Sequence, residues 1–295
     1  MNLVHYSSCP VCNSNAIDPL LTVKDHSISQ QHFPVWQCRT CQLRFTQDVP
    51  AENEIGPYYQ SEDYVSHSDT SKGLINKLYQ RVRRITLQQK ASLIKKYTGA
   101  TGRILDVGAG TGAFLYTMQN SGWTVTGIEP DEGARRHAAA LYDLQLQPKE
   151  SLQSLEPGSF EAITLWHVLE HVHQLHQYVE KLKELVKPGG KIFIAVPNYT
   201  ALDAQLYGSY WAAYDVPRHL YHFSPRSMEV LLQQHGLRIV AKKPMWFDSF
   251  YVSMLSSKYR KGSLIKAGIN GLRSNLLAML QKDRCSSLIY IAEKI

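Results

Sequence analysis

Asp106, Gly108, Gly110, Gly112 and Glu129 are the residues of this 295-residue chain whose types and spacing most directly imply chemistry. The apolar run Ile104-Leu105-Asp106-Val107 enters the turn Gly108-Ala109-Gly110-Thr111-Gly112, and a helix is predicted directly after it, from Ala113. Glycine is needed there because side chains would keep a ligand away from the backbone amides at a helix start. The short run Thr124-Val125-Thr126-Gly127-Ile128 then ends in Glu129 and Pro130. A carboxylate at the tip of a second strand is placed to accept hydrogen bonds from the two hydroxyls of an adenosine ribose. Gly108, Gly110 and Ala113 fit the dinucleotide pattern, and Gly108, Gly110 and Gly112 fit a second pattern equally well. Asp106 helps to break the tie. A carboxylate beside the loop repels a pyrophosphate and attracts the ammonium and sulfonium of S-adenosylmethionine.

Cysteines form a second constellation. Cys9-Pro10-Val11-Cys12 and Cys38-Arg39-Thr40-Cys41 are two knuckles separated by 25 residues. Each lets two thiolates meet one ion from a tight turn, and together they complete a tetrahedral zinc site. A closed shell of four thiolates leaves no place for water, so this zinc is expected to be structural. Phe33, Trp36 and Phe45 supply only a small apolar complement, so metal binding would provide much of the folding energy of residues 1–50, on the order of 10 kcal/mol.

Histidines form the third. His167, Glu170 and His171 spell the H-x-x-E-H pattern of some zinc hydrolases. Because Ala162 to Leu165 read as a strand, His167 falls in the loop at that strand's C-terminal end, where side chains contact ligand in open α/β sheets. Trp166 and His167 are therefore expected to wall the cofactor pocket and His171 to lie near the acceptor, with His173 and His176 facing solvent. A later stretch, Tyr210 to Ser224, gathers Trp211, Asp215, Arg218, His219 and His222. A histidine near its ordinary pKa suits removal of a proton from a hydroxyl or carbon acid, and Asp215 could orient it. Arg218 could hold a carboxylate or phosphate of the substrate. The competing reading is an Asp215–Arg218 pair that staples the loop.

The elements that must position these groups follow from periodicity. Phe160 to Trp166 reads as a strand, Leu175 to Val186 as a helix, Lys187-Pro188-Gly189-Gly190 as a turn and Lys191 to Val196 as a strand. Ser224 caps a helix through Leu232, Leu237 to Ala241 reads as strand six and Ser287 to Glu293 as strand seven. Leu74, Ile75, Leu78, Val82 and Ile85 recur at helical spacing, which predicts a buried helix face.

At this point the chain resembles the class I S-adenosylmethionine-dependent methyltransferases. The motifs are L-D-V-G-A-G-T-G, G-I-E-P, F-E-A-I-T-L-W-H-V-L-E-H-V and L-V-K-P-G-G-K-I-F-I-A-V-P, in the family's order over residues 103–198. The resemblance implies an α/β, Rossmann-like sheet of seven strands with strand seven antiparallel, preceded by the small zinc-binding module. It places residues 51–100 as a linker and lid helix, with Tyr59 in the tyrosine-rich stretch that crosses the cofactor pocket in relatives. It makes residues 101–295 the catalytic domain, with insertions at about 199–225 and 247–285. The acidic residue that relatives carry after the third strand has only Glu150 as a counterpart. The segment Trp211, Asp215, Pro217, Arg218, His219, Leu220 and Phe223 is similar to one in bacterial methyltransferases of sugar and envelope-glycan pathways.

Composition sets bounds. With 44% hydrophobic and 19% charged residues the chain reads as an ordinary globular protein; it has no apolar run of membrane-spanning length, and no secretory leader is expected from its first residues. Cysteine usage points to metal in a reducing cytoplasm rather than to disulfides. The net charge of +7 is concentrated in residues 70–105 and 258–284. Two basic patches admit RNA methylation as an alternative to a small or medium acceptor such as a sugar intermediate, and a non-catalytic cofactor-binding protein is a third reading. Against RNA, residues 1–50 carry three basic and three acidic residues, whereas a phosphate-gripping module is clearly basic.

Overall fold

A computed structural model describes residues 2–59 and 74–295, with side chains of the helix that opens at residue 74 described from residue 81. The lid expectation beyond Tyr59, and the apolar positions Leu74, Ile75 and Leu78, lie outside these side chains. In chain order the strands are β1 (Leu3–Val4), β2 (Ile17–Lys24), β3 (His32–Cys38), β4 (Arg44–Thr46), β5 (Val49–Pro50), β6 (Arg103–Val107), β7 (Thr124–Ile128), β8 (Phe160–Trp166), β9 (Val186–Pro197), β10 (Tyr221–His222), β11 (Leu237–Pro244) and β12 (Ser287–Lys294). The α-helices are α1 (Leu74–Thr98), α2 (Ala113–Gln119), α3 (Glu132–Tyr142), α4 (Leu175–Leu185), α5 (Leu202–Tyr207), α6 (Pro225–Gln234), α7 (Asp248–Tyr259) and α8 (Leu264–Leu280).

The central sheet has the strand order β11-β12-β9-β8-β6-β7. β6 lies parallel to β7 and to β8, with Asp106 paired to Gly127 on one side and Thr164 on the other. Among the described residues the sheet has six strands rather than the seven expected. At the position of the third strand the chain makes a single parallel bridge, Ile128 to Gln147, because Pro148 follows at once and removes the next donor. β12 runs against its neighbours: the N–H of Asn198, just past β9, and that of Met245, just past β11, bond the carbonyls of Ser286 and Ser287 where β12 begins.

The chain divides into two compact units, residues Ser66–Trp166, Glu180–Phe193 and Ile291–Ile295 forming one, and Met1–Val65, His167–Val179 and Ile194–Tyr290 the other. In the first, Ile104, Leu105, Ile163 and Leu165 are fully buried on adjacent strands, the near-continuous apolar run of a parallel sheet covered on both faces. Leu115, Met118 and Ala138 come from α2 and α3, and Ile94 from α1. Ile85, expected on the buried face of α1, is exposed. Gly127 is required by packing, since a Cβ there would lie 2.4 Å from Leu146 Cδ2 and 2.5 Å from Leu115 Cδ1.

In the second unit β10-β4-β3-β2 form a four-stranded antiparallel sheet beside the pair β1-β5. Tyr221 and His222 pair with Phe45 and Arg44, so the cysteine segment takes a strand from the Tyr210–Ser224 stretch into its own sheet. Helix α6 starts on a capping box between Ser224 and Ser227 with Pro225 in its first turn, as the sequence predicts. The insertion before β12 folds as α7 and α8. Helix α8 buries small residues, Ala267, Gly271, Ser274 and Ala278, and leaves Ile265, Ile269, Leu272, Leu276 and Met279 exposed. No helix among the described residues is long and apolar enough to cross a membrane.

Candidate active site

The glycine turn follows β6. Gly108, Gly110 and Gly112 all hold positive φ, of 73°, 54° and 80°, conformations open to glycine and strained for other residues. The N–H groups of Gly108 and Ala109 bond the Ile128 carbonyl, which fixes the turn against the end of β7. A Cβ on Gly110 would meet no atom within 4 Å, so the turn borders open space. Glu129 accepts from the Gly110 N–H at 2.7 Å with one oxygen and from the Asp131 N–H at 2.9 Å with the other. Each oxygen keeps a further lone pair for a hydroxyl donor. Pro130 turns the chain into α3, its carbonyl accepting from Arg135.

Asp106 is 1% exposed, and Thr164 donates its hydroxyl to it at 2.6 Å. Burial lifts its pKa to about 7, against the pull of Thr164 and of the Lys90 ammonium. Burial also raises Glu129, partly offset by its two backbone donors. At neutral pH this half of the sheet thus holds two buried acids whose charge is poorly compensated, a setting that favours a cationic ligand. Trp166 closes the row. Its ring meets Phe114 edge-on and carries the Lys90 ammonium 4.0 Å from its centroid, while its Nε1 is buried with no hydrogen-bond partner among the described residues. Open space beside Gly110, two acids and an orphaned indole donor fit a nucleoside cation. Glu150 is exposed on the short helix Lys149–Ser154.

The histidines lie in the other unit. His167 has a positive φ of 59°, unusual for a residue with a side chain. Its Nδ1 is 3.3 Å from Glu170 Oε1 and its Nε2 3.1 Å from Asp248 Oδ2. Burial alone would depress its pKa, but these two carboxylates raise it to about 10, so it is an imidazolium with both nitrogens engaged. His171 and His219 meet edge to face with ring centroids 4.6 Å apart. Burial and the neighbouring His219 hold His171 at about 4, hence neutral. Tyr59 falls beside this pair, its hydroxyl 3.1 Å from His171 Nδ1.

Several sequence expectations are corrected here. Arg218 is no free anion clamp: it bonds Asp215 twice, at 2.9 and 2.6 Å, and also the Tyr58 carbonyl, Asp25 and Ser27. Asp215 is occupied by Arg218 and stays 4.0 Å from His219 Nε2, too far to orient it. His222 is engaged by other groups. It is buried against Tyr214 with Nε2 on Thr46, and burial depresses it well below the usual imidazole range. His173 and His176 are not solvent-facing. His173 donates to the Pro50 carbonyl, and His176 Nε2 donates to that of Pro10 while Nδ1 faces His235. Thr164, Lys90, Asp25 and Asp248 were missed, because each acts on its partner across a long sequence separation.

The four cysteines cluster as expected. Cys9 and Cys41 sulfurs are 3.5 Å apart, Cys12 and Cys38 3.6 Å, and all four lie within 4.8 Å of one another. A tetrahedral zinc with bonds of about 2.3 Å sets its sulfurs about 3.8 Å apart. The two knuckles are alike: Asn13 and Gln42 each sit four residues after the first cysteine, at φ of 57° and 62°, and each donates its N–H to that cysteine's carbonyl. The donor set fits zinc.

The methyltransferase domain family model matches residues 79–242. A ubiquinone biosynthesis O-methyltransferase of Xanthomonas euvesicatoria pv. vesicatoria is 31% identical over 162 residues, half of this chain and 68% of that protein. A protein of the same name from Xanthomonas oryzae pv. oryzae is 34% identical over 133 residues, 42% of this chain and 56% of that one. Among solved structures, the PH0226 protein of Pyrococcus horikoshii shares the fold with a TM-score of 0.51 at 15% identity, over 80% of this chain and all of that one. The 1,6-didemethyltoxoflavin-N1-methyltransferase of Burkholderia thailandensis does so with a TM-score of 0.50 at 15% identity, over 92% and 99%. The chain belongs to the methyltransferase domain family, as a class I S-adenosylmethionine-dependent enzyme.

Proposed function

We propose that this protein methylates a hydroxyl oxygen of a small acceptor, of the size of a sugar intermediate. The observation that carries the donor half of this reading is the pair of poorly compensated acids, Asp106 and Glu129, around a glycine turn that opens onto space. Glu129 holds the ribose hydroxyls, Asp106 attracts the cationic amino-acid end, Gly108 to Gly112 let the ligand approach the backbone, and Trp166 Nε1 offers a donor. S-adenosylmethionine, when bound, supplies a methyl group already activated on a sulfonium. The protein's own work is to bind, align and manage the acceptor proton.

The acceptor side we assign to His171 and His219. Each directs Nδ1 at a backbone carbonyl, Arg218 at 3.0 Å and Ala213 at 2.9 Å, so each Nε2 keeps a lone pair for an acceptor hydroxyl or a cation. Oxygen as the accepting atom is supported by the names of the O-methyltransferase relatives. The four cysteines hold a structural zinc that organises residues 1–50. The test is transfer of labelled methyl from S-adenosylmethionine to a panel of nucleotide sugars and small phenols. Turnover with one of them, lost in His171→Ala, is expected. Transfer only to RNA would overturn the acceptor assignment.

A further inference from the structure

We infer that Glu170, His171 and His219 form a second metal site, distinct from the cysteine cluster, for a divalent first-row ion bound by two imidazoles and one carboxylate. It deepens the acceptor assignment of the preceding subsection and shares its residues. One donor atom from each of the three lies within 4.8 Å of the others. An Nδ1–H on each ring satisfies the carbonyl it faces, Arg218 O and Ala213 O, with the Tyr59 hydroxyl 3.1 Å from the same His171 nitrogen as a second acceptor, and this tautomer leaves both Nε2 atoms as electron-pair donors. A ring nitrogen pinned on a backbone carbonyl is the usual support of a metal-bound histidine.

Glu170 supplies the independent sign. Its side chain is fully buried, and Oε2 has no hydrogen-bond partner among the described residues, while Oε1 is turned to His167. A buried carboxylate oxygen left unbonded is expensive. One proton shared among Glu170 and the two histidines would satisfy one of the three acceptors, whereas a divalent cation held by one atom of each residue would satisfy all three. The ligands sit on braced backbone. The Leu220 N–H bonds the Glu170 carbonyl at 2.8 Å, tying the turn Leu169–His171 to the loop that carries His219, and Asp248 fixes His167 from behind. Two nitrogens and one oxygen suit zinc, manganese, iron or cobalt rather than the soft preferences of four thiolates. Three protein ligands leave positions open for an oxygen ligand such as an acceptor hydroxyl, whose proton the ion would make easier to lose.

The test adds Co2+ to the purified full-length protein. A filled cysteine cluster leaves one N/O site, read as weak visible d–d bands without the intense near-ultraviolet thiolate-to-cobalt band. If the cysteine cluster is instead open to metal, the thiolate band appears as well, which separates the two sites. We expect the weak bands to saturate at one equivalent, and Glu170→Gln and His219→Gln each to weaken Co2+ binding at least tenfold with the thiolate-bound metal content unchanged. Because either variant could fail to fold, the wild type is also read by proton NMR, where Co2+ should shift ring signals of two histidines. Absence of the weak bands at millimolar Co2+, or shifted signals from no histidine, would overturn the site, as would bands unchanged in both variants.

Discussion

Asp106 shows how a buried residue can oppose folding at neutral pH and still suit the binding role proposed for it. Its pKa is lifted to about 7 by burial, above the ordinary value of about 3.9 in an unfolded chain. The folded state therefore holds that proton more tightly. The associated stability is present below about pH 4 and is lost as pH rises through about 7. Asp106→Asn should raise the melting temperature of the ligand-free protein at pH 8.5 by on the order of 5 °C, checked by thermal denaturation. The same substitution should weaken S-adenosylmethionine at least tenfold by calorimetry, and wild-type affinity should fall as pH drops from 8 to 6. Gly110→Ala and Gly127→Ala separate ligand from packing in the same way. Gly110→Ala meets no neighbour and should reduce cofactor binding for about 1 kcal/mol of backbone strain. Gly127→Ala collides with Leu146 and Leu115 and should destabilise by about 1–3 kcal/mol, read by urea unfolding. The glycine turn was legible in the sequence because the positive φ of Gly108, Gly110 and Gly112 is a local demand of the chain, and Glu129 because it ends the next strand. The partners Thr164 and Lys90 were not, since no local pattern marks a residue 58 or 16 positions away as the neighbour of Asp106.

Among the elements, the parallel strands were readable from their apolar runs, and the first also from the glycine turn that follows it. The third strand was not, because Pro148 cuts its pairing to one bridge. The stretch Tyr210–Ser224 was legible as dense in chemistry but not in its division of labour. Its aspartate and arginine form a buried clasp with Asp25, which the sequence places 193 residues from Arg218. Arg218→Ala leaves Asp25 and Asp215 without their cation and should cost about 3–5 kcal/mol of stability in urea unfolding. A substrate clamp would instead leave stability intact and change KM alone. His173 and His176 were misread as solvent-facing because the chain that covers them, Pro10 and Pro50, comes from a distant segment.

For the whole molecule, the cysteine segment and the Tyr210–Ser224 stretch share a sheet through β4 and β10, so the loop bearing His219 is tied to the segment that carries the four-cysteine cluster. Removing the metal with a strong chelator under reducing conditions, or Cys38→Ser, should expose residues 1–50 to limited proteolysis and abolish methyl transfer together. Proteolytic resistance after complete metal removal would refute the structural role of the cysteines. Methyl transfer by this protein depends on where the methyl donor sits. A crystal structure of the full chain with S-adenosylhomocysteine tests this most directly. It should show the ribose hydroxyls on Glu129 and the amino-acid end toward Asp106, over the Gly108–Gly112 turn. A ligand bound elsewhere on the protein, or that turn empty at millimolar ligand, would contradict it.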